Sequence, residues 1–101
     1  MGIQIAIPRD EIVALCQSYS IRRLLLFGSV LREDFGPDSD VDLLVEFEPE
    51  AGIGFFTFIE IEDTLSTMLG RRVDLNTPES LSRHFRHKVM QSAEVVYERE
   101  G

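Results

Sequence analysis

The sequence predicts a mixed α/β (α+β) domain, a small sheet with helices packed against it. Three observations lead there. Strand-length apolar runs alternate along the chain with segments whose apolar residues recur at helical spacing. One run, Leu24-Leu25-Leu26-Phe27, is apolar without a break, which marks a central strand covered on both faces. A chain of 101 residues, 44% of them hydrophobic, suits one domain, residues 1–101, with a core that needs no staples.

Each element follows from its residues. Pro8 suits the first turn of a helix, and Asp10 and Glu11 complement its N-terminal dipole. Ile12, Leu15 and Cys16 give that helix an apolar face as far as about Ser18. Residues 21–27 form the buried strand. A short helix is expected over 29–34, then turn chemistry in Gly36-Pro37-Asp38-Ser39. Residues 40–47 alternate, with Val41, Leu43, Val45 and Phe47 on one face and Asp40, Asp42, Leu44 and Glu46 on the other. After a loop over 48–54, Phe55, Phe58, Ile59, Ile61, Leu65, Met68 and Leu69 mark a helix that stops at Gly70. The three phenylalanines Phe55, Phe56 and Phe58 read chiefly as core, with Phe56 partly off the apolar face. Residues 72–76 form a strand with Asp74 opposite Val73 and Leu75. Thr77-Pro78 starts a turn. A last helix over 82–92 turns Phe85, Val89 and Met90 inward, and Val95 to Tyr97 add an edge strand.

Composition narrows the function. A formal charge of −8 argues against general nucleic-acid binding, which depends on basic residues neutralising phosphates. It is compatible with one nucleotide held through a metal. No apolar stretch approaches the roughly 20 residues of a membrane span. The lone Cys16 and the absence of an apolar leader predict a protein that stays in the reducing cytoplasm.

The chemistry concentrates in residues 28–42, Gly-Ser-Val-Leu-Arg-Glu-Asp-Phe-Gly-Pro-Asp-Ser-Asp-Val-Asp. Gly28 lets backbone approach a phosphate, and Ser29 offers a hydroxyl at the start of a helix whose free N–H groups favour an anion. Arg32, one turn on, is placed to neutralise a phosphate oxygen. Asp40 and Asp42, two apart on a strand, present carboxylates to one side about 7 Å apart along the chain. Hard Mg²⁺ takes such oxygens together with water and substrate phosphates, and two ions can stabilise both the attacking and the leaving oxygen of an in-line displacement. Asp74 is the best candidate for a third carboxylate, converging on the first two if its strand adjoins 40–47.

Gly-Ser, ten residues, then Asp-x-Asp resembles the signature of the nucleotidyltransferase superfamily related to DNA polymerase beta. The phrases Pro-Asp-Ser-Asp-Val-Asp-Leu-Leu-Val and Arg-Val-Asp-Leu-Asn-Thr-Pro-Glu-Ser-Leu look like its minimal nucleotidyltransferases (MNT), a resemblance spanning about residues 10–97. It implies a polymerase-beta-like palm working with Mg²⁺ and ATP. Gly28 and Ser29 would hold the triphosphate. Asp40 and Asp42 would bind metals. Asp74 would help hold a metal and activate the nucleophile. It also implies a partner and a role: an antitoxin that moves AMP to a tyrosine of a HEPN-domain ribonuclease toxin, in a hetero-oligomer with it. Many relatives carry further arginines in the ten-residue spacer. Here Val30 and Gly36 stand at such places, Arg32 is the one arginine, and Glu33 and Asp34 add negative charge.

Other signals compete. Asp38, Asp40 and Asp42 mimic the opening of an EF-hand loop, but Leu43 and Pro49 stand where that loop needs Gly and Glu. His84 and His87 lack the companions of a zinc site. The cluster Arg83, His84, Arg86, His87, Lys88 is the one dense basic patch; a solvated face, or a contact for an acidic partner, a nucleotide or a nucleic acid, would each account for it. Two functions of different class follow: a catalytic transferase, and a non-catalytic antitoxin that neutralises its partner by binding. An RNA-directed transferase would need a basic surface that an acidic chain does not obviously offer.

Overall fold

A computed structural model describes residues 7–28 and 40–99. The helix expected over 29–34 and the turn after it lie outside the described residues. Among those described, the order is α1 (Arg9–Ser18), β1 (Ile21–Phe27), β2 (Val41–Phe47), α2 (Phe55–Leu69), β3 (Val73–Asn76), a 3-10 turn (Pro78–Ser80), α3 (Arg83–Ser92) and β4 (Glu94–Glu98). The strands form one mixed sheet in the order β3-β2-β1-β4. β1 runs antiparallel to both neighbours, and β2 and β3 run parallel.

The unbroken apolar run of β1 is explained by its interior place. Leu24 and Leu26 face α1 and α2, in a core with Ile12, Leu15, Cys16, Val41, Leu43, Val45, Ile61 and Leu65. Leu25 and Phe27 face the other way and meet Leu44 and the Val89 of α3. The sheet is thus covered on both faces, and α3 is pinned by Val89. Burying that one side chain contributes about 1.5–3 kcal/mol. Gly70, with φ of 66°, ends α2 as a left-handed cap. The Ser82 hydroxyl accepts from the Phe85 N–H at 3.3 Å and opens α3.

Edge strand β3 is tied down from its outer side. The Val73 N–H donates to Ser66 Oγ at 3.0 Å, and the Leu75 N–H donates to Glu62 Oε2 at 2.8 Å. Two side chains of α2 therefore satisfy backbone groups that an edge strand would otherwise leave open. On the opposite strands, Arg23 and Glu46 form a paired cross-strand bridge, with guanidinium–carboxylate contacts of 2.6 and 3.2 Å.

Two core expectations fail. Phe55 and Phe56 are 73% and 85% exposed, packed edge-to-face on each other at 5.8 Å. The inward stripe of α2 runs through Phe58, Ile61, Leu65 and Met68. Phe55 continues that spacing but occupies the first position of the helix, where it meets Phe56 rather than the sheet. Phe85, expected inward, is 49% exposed, because α3 seats Val89 over the sheet and leaves the preceding turn at its rim.

Candidate active site

Asp42 and Asp74 come together where three strands meet at one end of the sheet. β1 finishes at this end and β2 begins there, so Phe27 pairs with Asp42. The parallel register of β3 then sets Asp74 directly beside Asp42. Neighbouring strands lie about 4.8 Å apart, and paired residues face the same side. Asp42 and Asp74 thus share the face that also carries Phe27, and the expected adjacency of residues 40–47 and 72–76 is present. Alternation placed these acids away from Val41, Leu43, Val73 and Leu75, all of which are buried on the other face. Asp42 is half-buried and Asp74 exposed. Asp40 is exposed and immediately precedes β2.

Gly28 closes the site from the end of β1. Its φ is +79°, a left-handed value that side chains disfavour. A Cβ added there would run into the Asp42 carboxylate, meeting Oδ2 first and Cγ at 3.2 Å. The glycine is therefore required both by its backbone angle and by the space the carboxylate occupies. Of the residues expected to hold phosphate, Gly28 takes its place beside Asp42; Ser29 and Arg32 lie outside the described residues.

A cleft of about 410 Å³ opens on this face. Phe27, Gly28 and Asp42 line it from the sheet, and Phe85, Lys88 and Ser92 from α3, with Val89 between them. A larger concavity of about 790 Å³ lies at the far end of the sheet, around Ser20, Glu48, Tyr97 and Arg99. That one is bridged by the Arg99–Glu48 ion pair at 2.8 Å and contains none of the three aspartates. The smaller cleft is the one with the chemistry.

The donor set fits Mg²⁺: hard carboxylate oxygens from adjoining strands, open to solvent on the side of Asp74. Among the described residues no three His, Cys, Asp or Glu side chains are gathered into a ready-made cage. Mg²⁺ does not require one, because it takes one or two carboxylates and completes its shell with water and phosphate oxygens. Cys16 plays no part: burial pushes its thiol up to about 12, and it lies in the core on the other face.

The α3 wall of the cleft was not assigned by sequence reasoning. A signal existed, since Phe85 and Lys88 fall within the conspicuous basic cluster and Phe85, Lys88 and Ser92 recur at helical i, i+3, i+7 spacing.

The fold and this carboxylate-lined strand end define a nucleotidyltransferase of the palm type. A family model described as polymerase beta, nucleotidyltransferase matches residues 10–101. The protein adenylyltransferase MntA of Thermococcus cleftensis is 40% identical over 83 residues, 82% of this chain and 80% of that protein. A solved chain described as a candidate minimal nucleotidyltransferase superposes with a TM-score of 0.71 at 34% identity, covering 84% of this chain and 85% of that one. A chain from the complex of a tri-AMPylated Shewanella oneidensis HEPN toxin with its MNT antitoxin shares the fold, with a TM-score of 0.65 at 20% identity over 90% of this chain and 70% of that one. The chain belongs to the polymerase beta nucleotidyltransferase family, among its minimal members. No helix among the described residues is long and apolar enough to cross a membrane.

Proposed function

We propose that this chain is a protein adenylyltransferase that moves AMP from ATP to a hydroxyl, a tyrosine hydroxyl by preference, on a HEPN-type toxin, and so acts as its antitoxin. The observation that carries the reading is the pairing of Asp74 with Asp42, which lines the sheet wall of the cleft beside Gly28. Similarity to MntA and to the MNT–HEPN complex supports the direction of transfer and the kind of partner.

The residues divide the work. Gly28 brings backbone close to the triphosphate, and Ser29 and Arg32 complete that side. Asp40, Asp42 and Asp74 are the carboxylates that would hold Mg²⁺, which supplies positive charge for the phosphate oxygens when bound. The acceptor oxygen bonds to the α-phosphorus as the bond from that phosphorus to the bridging oxygen breaks, and pyrophosphate leaves with the electron pair. Asp74 takes the acceptor's proton. It is exposed on an edge strand, so an acceptor carried by another protein can reach it. A chain of this size leaves the second substrate to be presented by its partner.

The test is transfer of label from ATP to the toxin partner in the presence of Mg²⁺. Wild type is expected to label it, and Asp40→Asn or Asp42→Asn to abolish labelling while the melting temperature stays near wild type. The fold should hold because removing one of several clustered like charges relieves repulsion in the metal-free protein. Equal neutralisation of the toxin by wild type and Asp42→Asn would overturn catalysis and leave an antitoxin that works by binding alone.

A further inference from the structure

Among the described residues that line the cleft, Asp42 is the acid and Lys88 the cation. ATP brings its own negative charge to a strand end that already carries Asp40, Asp42 and Asp74, in a chain of net charge −8. The spacer that follows Gly28 offers Arg32 alone and sets Glu33 and Asp34 beside it. The opposite wall supplies what the spacer lacks. Lys88 lines the same cleft as Gly28 and Asp42. Its position is set by Val89, the next residue, which is 5% exposed and seated against Leu25, Phe27 and Leu44. With that anchor fixed, the helix delivers Phe85, Lys88 and Ser92 to the cleft as one stripe. The ion pairs between described residues, Arg23 with Glu46 and Arg99 with Glu48, do not use Lys88.

We propose that Lys88 is a second phosphate-binding cation of the site beside Arg32, reaching across the cleft from α3 to the triphosphate held at Gly28. This rests on the nucleotidyl-transfer reading above. A lysine suits the role, as a compact charge on a flexible stem that reaches phosphate oxygens without the fixed fork of arginine. Phe85, one turn earlier, is the apolar rim that keeps this pairing from full solvent, where charge attraction weakens. The rest of the basic cluster is separate: Arg83, His84, Arg86 and His87 do not line the cleft, and Arg86 donates instead to the Leu81 carbonyl at 3.3 Å.

The test is equilibrium binding of ATP, ADP and AMP with Mg²⁺, by calorimetry, to wild type and to Lys88→Gln, Lys88→Arg and Arg83→Gln. Loss of one charged contact to phosphate weakens binding roughly ten- to a hundredfold, so Lys88→Gln should lose that much for ATP. The loss should shrink from ATP to AMP, Lys88→Arg should recover most of it, and Arg83→Gln, which removes the same charge from the same helix, should bind as wild type does. Wild-type affinity for ATP in Lys88→Gln would overturn the assignment. So would equal losses for ATP and AMP, or an Arg83→Gln loss as large, which would mean a wall residue or a general field. Wild type that binds no nucleotide would overturn the transferase reading itself, and this assignment with it.

Discussion

Replacing Gly28 with alanine tests the construction of the site most sharply. Two costs are built into the position. The backbone has φ of +79°, and holding a side-chain-bearing residue in the left-handed region costs about 1–2 kcal/mol. The new methyl group would also collide with the Asp42 carboxylate, whose Cγ would lie 3.2 Å and Cβ 3.4 Å away. Forcing an extra carbon into such a space costs about 1–3 kcal/mol. The sum, about 2–5 kcal/mol, is a large share of the stability of a small domain. It should lower the melting temperature by on the order of 10–25 °C. The two parts separate in a double-mutant cycle with Asp42→Ala, followed by urea unfolding. Without the carboxylate, Gly28→Ala should cost only the backbone part, leaving a coupling of about 1–3 kcal/mol between the two positions. A Gly28→Ala protein as stable as wild type, or one whose loss is the same with and without the Asp42 side chain, would refute the reasoning.

Two further outcomes follow. Glu62→Ala removes the acceptor of the Leu75 N–H and should cost about 1–2 kcal/mol in a thermal melt. It should also lower AMP transfer by loosening the strand that carries Asp74, and Glu62→Gln, which keeps an acceptor, should lose less of both. Burial raises the Cys16 thiol from 9.0 to about 12, so folding favours its protonated form. Below pH 9 the thiol is protonated in both states and its contribution is fully present. As pH rises from about 9 to about 12, the unfolded thiol ionises first and that stability is lost. Urea midpoints on either side of pH 9 should show the loss in wild type and not in Cys16→Ala, and the native thiol should resist thiol reagents at neutral pH.

Much of this was legible in the residues. The unbroken Leu24–Phe27 run could be buried only between two layers, and it is, with Leu24 and Leu26 on one side and Leu25 and Phe27 on the other. The alternation of residues 41–47 put Asp42 and Leu44 on one face, and Asp74 opposite Val73 and Leu75 followed from the same period of two. Which strand lies beside which is a long-range fact, and the parallel register of β2 and β3 comes from the structure. Periodicity also has no edge. It marks the side of a helix that turns inward but not where the sheet beneath it ends, which is why Phe55 and Phe85 read as core and are found exposed. Lys88 was legible only as one member of a basic cluster for which a nucleotide contact was one account; its wall of the cleft exists only once Val89 is seated on Leu25, Phe27 and Leu44.

The central claim is nucleotidyl transfer at the Asp42–Asp74 strand end, and the position of the label in ATP tests it directly. With a HEPN-type toxin and Mg²⁺, label in the α-phosphate should appear on the toxin and label in the γ-phosphate should appear only in released pyrophosphate, in amounts equal to the AMP transferred. Both should vanish with Asp42→Asn. Label passing from the γ-phosphate to the toxin, or α-label transferred equally by wild type and Asp42→Asn, would contradict the account.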